Sequence, residues 1–112
     1  MPSHIFTRVG AWQDSAATNR RSADVAIKGR DFDDALHAFD YIVYAQLQLG
    51  RDGDARKTYQ EASSINPSTP RFVGPYPLAA MPARLAIERG AWREAAQLQP
   101  IKSQYGFTEA NT

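Results

Sequence analysis

Histidine and carboxylate side chains are the groups in this sequence best suited to acid–base chemistry or metal binding, and only the histidines are few. The only histidines are His4 and His37, and there is no cysteine. A metal site would need a third nitrogen or oxygen ligand converging on both rings, and no His-x-x-x-His spacing occurs. We interpret the two histidines as structural. Without cysteine, disulfides and thiolate sites are excluded.

Catalytic signatures are absent as well. The sequence contains no Gly-x-Ser-x-Gly motif and no glycine-rich phosphate loop. The acidic run at 31–34 lacks the glycine and the closing glutamate of a calcium loop, so we interpret it as a helix start. We expect no enzyme activity, no metal and no cofactor. A small-ligand or catalytic site around His4, Asn19 and Asp40 is the least favoured alternative.

Eight polar residues are the candidates for binding, and most of them recur at steps of 40 residues. They are His4, Arg8, His37, Asp40, Tyr44, Gln48, Arg84 and Glu88. On one side of stacked helices they would form a polar strip that binds a peptide, with Arg8 or Arg84 holding a carboxylate. An ordinary solvated helix face is the other interpretation of the same residues.

Glycines set the step of 40 residues. Gly10, Gly50 and Gly90 each separate two stretches that are compatible with helix. A glycine in that place ends the first helix in a left-handed conformation. The repeating unit is therefore helix, tight turn, helix, and units of this size build helical solenoids.

Apolar spacing supports helices throughout. Between about Asp33 and Leu49, apolar residues recur every three or four positions, which is typical of a helix with one buried face. No segment alternates as a strand does, so we predict an all-α fold. The segment 28–31 separates two helices, and Asp31 suits a helix N-terminus. Prolines at 67–77 predict an irregular connection, and Pro82 should either kink or open the fifth helix.

Aromatic and amide side chains complete the predicted core. We expect packing roles for Trp12, Trp92, Phe39 and Tyr59. Asn19 falls in a core-facing slot, where a buried amide needs hydrogen-bond partners. We expect Ser3 or His4 to supply them.

The middle unit resembles the tetratricopeptide repeat. The residues that carry the resemblance are Phe39, Gly50, Ala55, Tyr59, Ala62 and Pro67. The outer units depart from the motif, with Ser15 and Asn19 in the first and Gln99 in the last. Parts of all three units also look like stretches of larger bacterial tetratricopeptide proteins.

The resemblance implies an architecture and a role. We expect a single domain over 1–112, built as a short right-handed solenoid of about three antiparallel helix pairs. The units would span about 1–28, 33–67 and 76–100, with a tail at 101–112. Solenoids usually bind partners on the concave face lined by the first helix of each pair. A protein or peptide partner is therefore expected.

Charge and hydropathy restrict the partner and the location. The net charge is +1, from 13 basic and 12 acidic residues, which gives no case for nucleic acid or an anionic membrane. No signal peptide or membrane span is apparent, so we expect a cytoplasmic protein. The main alternative to a binding scaffold is a homodimer through the last unit, where Leu98 and Ile101 would lie exposed.

Overall fold

Six α-helices and no β-strand make up the part of the chain that the computed structural model describes, residues 2–65 and 75–99. The helices are α1 (Pro2–Arg8), α2 (Trp12–Lys28), α3 (Phe32–Gln48), α4 (Asp52–Ser63), α5 (Pro75–Glu88) and α6 (Trp92–Gln97). The predicted all-α fold is confirmed for these residues. None of these helices is both long enough and apolar enough to cross a membrane.

The three glycines end α1, α3 and α5 in the predicted conformation. The φ angles of Gly10, Gly50 and Gly90 are 74°, 70° and 63°. At Gly50, the glycine N–H donates to the Leu47 carbonyl at 3.0 Å and the following N–H donates to the Gln46 carbonyl at 2.8 Å. The same two bonds occur at the other glycines, and they satisfy carbonyls that a helix end leaves unpaired. Each glycine therefore turns one helix back onto the next.

A fourth turn of the same kind joins α2 to α3 without using its glycine. Gly29 has a φ of −79°, and Arg30 takes the left-handed conformation at a φ of 60°. The Arg30 N–H donates to the Ile27 carbonyl at 3.0 Å. The predicted break is confirmed, although the residue that adopts positive φ is Arg30.

Helix α3 lies at the centre of the fold and packs against α2, α4 and α5. The Asp31 side chain caps it by accepting from the Asp34 N–H at 3.3 Å, which confirms the predicted helix start. Its apolar stripe is fully buried. The buried members are Leu36, Phe39, Ile42, Val43 and Leu47.

One sequence expectation for the last pair is narrowed and another is corrected. Of the two alternatives for Pro82, that it opens the fifth helix is wrong, because Pro82 lies inside α5, which begins at Pro75. Trp92 is 67% exposed, so the expected packing role is wrong. The reason is the length of α6, which has six residues and buries none of them. Predictions for the prolines before Pro75, for Ile101 and for the tail lie outside the described residues.

Candidate functional site

A cleft of about 320 Å³ opens on the side of the molecule formed by the first helix of each pair, which we name the α1/α3/α5 face. Every one of these helices contributes to its lining. The lining residues are Thr7 from α1, His37, Asp40, Tyr41 and Tyr44 from α3, and Tyr76 and Arg84 from α5. The 40-residue step thus places polar and aromatic side chains of three helices around one cavity.

An ion pair between α5 and α3 is fixed at the cleft. Arg84 Nε lies 2.8 Å from Asp40 Oδ1, and Nη2 lies 3.3 Å from Oδ2. Burial alone lowers the pKa of Arg84, but the hydrogen bond and the charge of Asp40 outweigh it and raise the pKa above its ordinary value. Arg84 therefore stays charged, and a two-bond fork sets its orientation.

The Tyr44 ring lies between two neighbours. The Arg84 guanidinium carbon lies 5.3 Å from its centroid, within the range of a cation–π contact. The Trp12 ring meets it edge-on at 5.5 Å. Tyr44 is therefore held in place by two contacts, and it still lines the cleft.

A cluster of three rings joins α1 to α3. His4 stacks on Tyr41 at 4.8 Å between centroids, and His37 meets Tyr41 edge-on at 5.2 Å. His4 Nε2 is buried without a hydrogen-bond partner. Burial, followed by the charges of His37 and Arg8, lowers the pKa of His4. Because its protonated form is disfavoured, His4 packs as a neutral ring near pH 7.

The eight predicted binding residues are only partly brought together. His37, Asp40, Tyr44 and Arg84 line the cleft, and His4 packs on one of its walls. Gln48 donates to Glu88 at 3.3 Å outside the cleft lining. Arg8 is exposed and does not line the cleft.

Sequence reasoning missed three lining residues. Tyr41 lies four residues after His37 and three before Tyr44, so helical spacing alone puts it on the same face. Thr7 is held by its hydroxyl, which donates to the Ser3 carbonyl at 2.9 Å and lies 2.7 Å from Ser15 Oγ. Tyr76 lies near the start of α5, two steps of four residues before Arg84, so helical spacing also puts it on the same face.

Asn19 is buried as predicted, at 1% exposure, but its expected partners are wrong. Its amide nitrogen donates to the Ser15 carbonyl at 2.9 Å, instead of meeting Ser3 or His4. The proposed grouping of His4, Asn19 and Asp40 also has no common cavity, because Asp40 lines the cleft while Asn19 lines a groove between α2 and α3. Among residues 2–65 and 75–99, no group of three or more acidic or histidine side chains could hold a metal.

Comparison with protein-family models, curated proteins and solved structures finds no match to this chain.

Proposed function

We propose that this chain is a tetratricopeptide-like scaffold that binds an extended peptide segment in the cleft of the α1/α3/α5 face. The recurrence of the Gly10, Gly50 and Gly90 turns supports a repeat. So does the packing, because each helix contacts the next and α3 also contacts α5. Stacked pairs require these neighbour contacts, and the first helices of stacked pairs line the concave side of a solenoid.

The observation that carries the proposal is the preassembled Arg84–Asp40–Tyr44 group. Its three side chains are fixed by an ion pair and by ring contacts within the protein itself. A ligand that meets such side chains does not bear the entropic cost of ordering them. The cavity volume lies at the lower end of the range for binding sites, roughly 300–1,000 Å³.

The ion pair also selects the chemistry of the ligand. Asp40 already compensates the charge of Arg84, so a second carboxylate would compete with it. The two hydrogen bonds to Asp40 use Nε and Nη2 of Arg84, and Nη1 suits a neutral acceptor such as a peptide carbonyl oxygen. The rings of Tyr41, Tyr44 and Tyr76 would pack against an apolar side chain of the same segment.

Selection from a random peptide library tests this function. Peptides selected on the wild-type chain should lose about tenfold or more in affinity for Tyr44→Ala and for Arg84→Ala. Arg20→Ala is the matched control, because Arg20 is also paired with a carboxylate and stacked on a ring, and neither Arg20 nor its partner Glu61 lines the cleft. Equal affinity for all four proteins would contradict the proposal, as would a library that yields no binder.

Self-association through the last helix pair is a second candidate function. Three apolar side chains there are exposed: Ile87 at 54%, Trp92 at 67% and Leu98 at 38%. Exposed apolar side chains of this size favour an interface at the last helix pair. Sedimentation should show a dimer that Trp92→Asp dissociates while peptide binding persists. A wild-type chain that stays monomeric at high concentration would contradict this candidate.

A further inference from the structure

Hydrogen-bond acceptors are scarce among the described residues that line the cleft of the α1/α3/α5 face. The one carboxylate, Asp40, accepts from Arg84 with both oxygens, and its side chain is 9% exposed. The Thr7 hydroxyl is engaged on the Ser3 carbonyl at 2.9 Å. Backbone carbonyls of the lining helices accept within those helices. The side chains left to accept from a ligand are therefore the tyrosine hydroxyls and His37.

Peptide N–H groups are costly in such a cleft. Each one that is removed from water without an acceptor lowers affinity by about tenfold. Proline has no N–H and keeps its carbonyl, so a segment that contains proline presents acceptors without that cost. Nη1 of Arg84 takes no part in the two bonds to Asp40 and can donate to such a carbonyl. The donors and acceptors of the cleft therefore favour proline.

The charges of the cleft favour an uncharged segment. Tyrosine rings can hold a cation, but Arg84 already lies over the Tyr44 ring and would repel a second one. A ligand carboxylate would compete with Asp40 for Arg84. His37, the other lining group apart from the tyrosines that can titrate, adds no negative charge that would attract a cation. Neither a basic nor an acidic side chain is therefore favoured in the cleft.

Two tyrosine rings on different helices are available to a neutral ligand. His4 stacks on Tyr41 at 4.8 Å, and His37 lies 5.2 Å from Tyr41 and 6.0 Å from His4. These distances place His37 beside the stack, because a ring on the opposite face of Tyr41 would lie much farther from His4. The face of Tyr41 away from His4 can therefore meet a ligand in the cleft. Tyr76, on α5, is 37% exposed.

We propose that the segment bound in the cleft is rich in proline and adopts the polyproline II conformation, with one proline on the open face of Tyr41 and another on Tyr76. This inference rests on the proposed function and names the class of its ligand. Helix α3 contacts α5, and helices in contact lie about 8–10 Å apart. One polyproline II turn of three residues is about 9 Å long, so the prolines are spaced as in Pro-x-x-Pro. Because this conformation is preformed, the segment loses little entropy on binding.

Two uncharged synthetic peptides test the inference by fluorescence anisotropy. Each has capped ends and about nine residues, or three polyproline II turns. One carries Pro-x-x-Pro at its centre, and the other carries alanine in place of both prolines. The proline peptide should bind about tenfold more tightly or better, because it brings fewer unpaired N–H groups into the cleft.

Variants of the two rings locate the preference. Tyr76→Ala, at an exposed position, and Tyr41→Leu, which keeps most of the volume, should each remove most of the preference for proline. Arg20→Ala is the matched control and should keep it, because Arg20 does not line the cleft. The inference is wrong if the two peptides bind equally or not at all, or if both ring variants retain the preference.

Library selection distinguishes this failure from failure of the proposed function. Selected peptides that depend on Tyr44 and Arg84, together with equal affinity for the proline and alanine peptides, would leave the function intact and reject the ligand class. A library that yields no binder would reject both.

Discussion

Two regions of the molecule contain the same arrangement of an arginine, a carboxylate and an aromatic ring, one with Arg84 and the other with Arg20. Each arginine reaches from one helix to a carboxylate on another and lies over an α3 ring. Arg84 pairs with Asp40 at 2.8 Å and lies 5.3 Å from the Tyr44 centroid. Arg20, on α2, pairs with Glu61 of α4 at 2.9 Å and lies 5.2 Å from the Phe39 centroid. The two groups therefore make nearly the same contacts at nearly the same distances.

Burial distinguishes the two groups. The Asp40 side chain is 9% exposed and the Glu61 side chain is 47% exposed. The rings differ in the opposite sense, since Phe39 is fully buried while Tyr44 is partly accessible and lines the cleft. In the Arg20 group the ring belongs to the core and solvent screens the ion pair. In the Arg84 group the carboxylate is buried and the ring is available to a ligand.

The largest expected difference concerns the rings. Phe39→Ala should lower the free energy of unfolding by about 3–5 kcal/mol, because it leaves a cavity in the core. Tyr44→Ala should cost about 1–2 kcal/mol, because its ring is only partly removed from solvent. Urea unfolding of both variants measures this. Equal losses would remove the distinction between a core ring and a cleft ring.

Substitutions of the two carboxylates should differ less in their free energies of unfolding. Here the larger loss belongs to the Arg84 group. Asp40→Ala should cost about 1–2 kcal/mol, because it leaves the charge of Arg84 without its partner in a mostly buried place. About a third of the Arg84 side chain is exposed, which keeps the loss below that of a fully buried pair. Glu61→Ala should cost about 0.5 kcal/mol or less, and 1 M salt should shrink that further. A larger loss for Glu61→Ala would contradict the account.

The free energy of unfolding should fall in acid because of His4, which lies on the α1/α3/α5 face. Burial lowers the pKa of His4 in the folded chain, so the unfolded chain binds protons first as the pH falls. The His4 contribution to stability is therefore complete above about pH 6.5 and declines below it. His4→Gln should flatten this slope of stability against pH, whereas Glu61→Gln, on the other region, should retain it. A slope unchanged by His4→Gln would show that His4 does not cause it.

Helices and turns were predictable because their causes are local. Left-handed glycine at position 50 and the buried stripe of α3 follow from φ preference and from helical spacing. The exposure of Trp92 was not predictable, because it depends on how few residues α6 contains. The turn at Arg30 shows a related limit, since the neighbouring glycine is the better residue for positive φ and yet does not adopt it.

The sequence predicted a polar surface along the first helices, but it did not predict that Arg84 pairs with Asp40. Aligning the glycines placed Tyr44 and Arg84 at one level, but Arg84 pairs with Asp40, one turn earlier. The reason is that long side chains on a helix lean toward its N-terminus, so Arg84 reaches the level of Ala80, which is equivalent to Asp40. The same effect directs Asn19 to the Ser15 carbonyl.

The central claim is that a peptide occupies the cleft of the α1/α3/α5 face, and mapping of amide chemical shifts with a library-selected peptide tests it most directly. The largest changes should fall at Thr7, Tyr41, Tyr44 and Arg84, with little change at Arg20 and Glu61. Changes concentrated around Arg20 and Glu61, with the cleft residues unaffected, would contradict it.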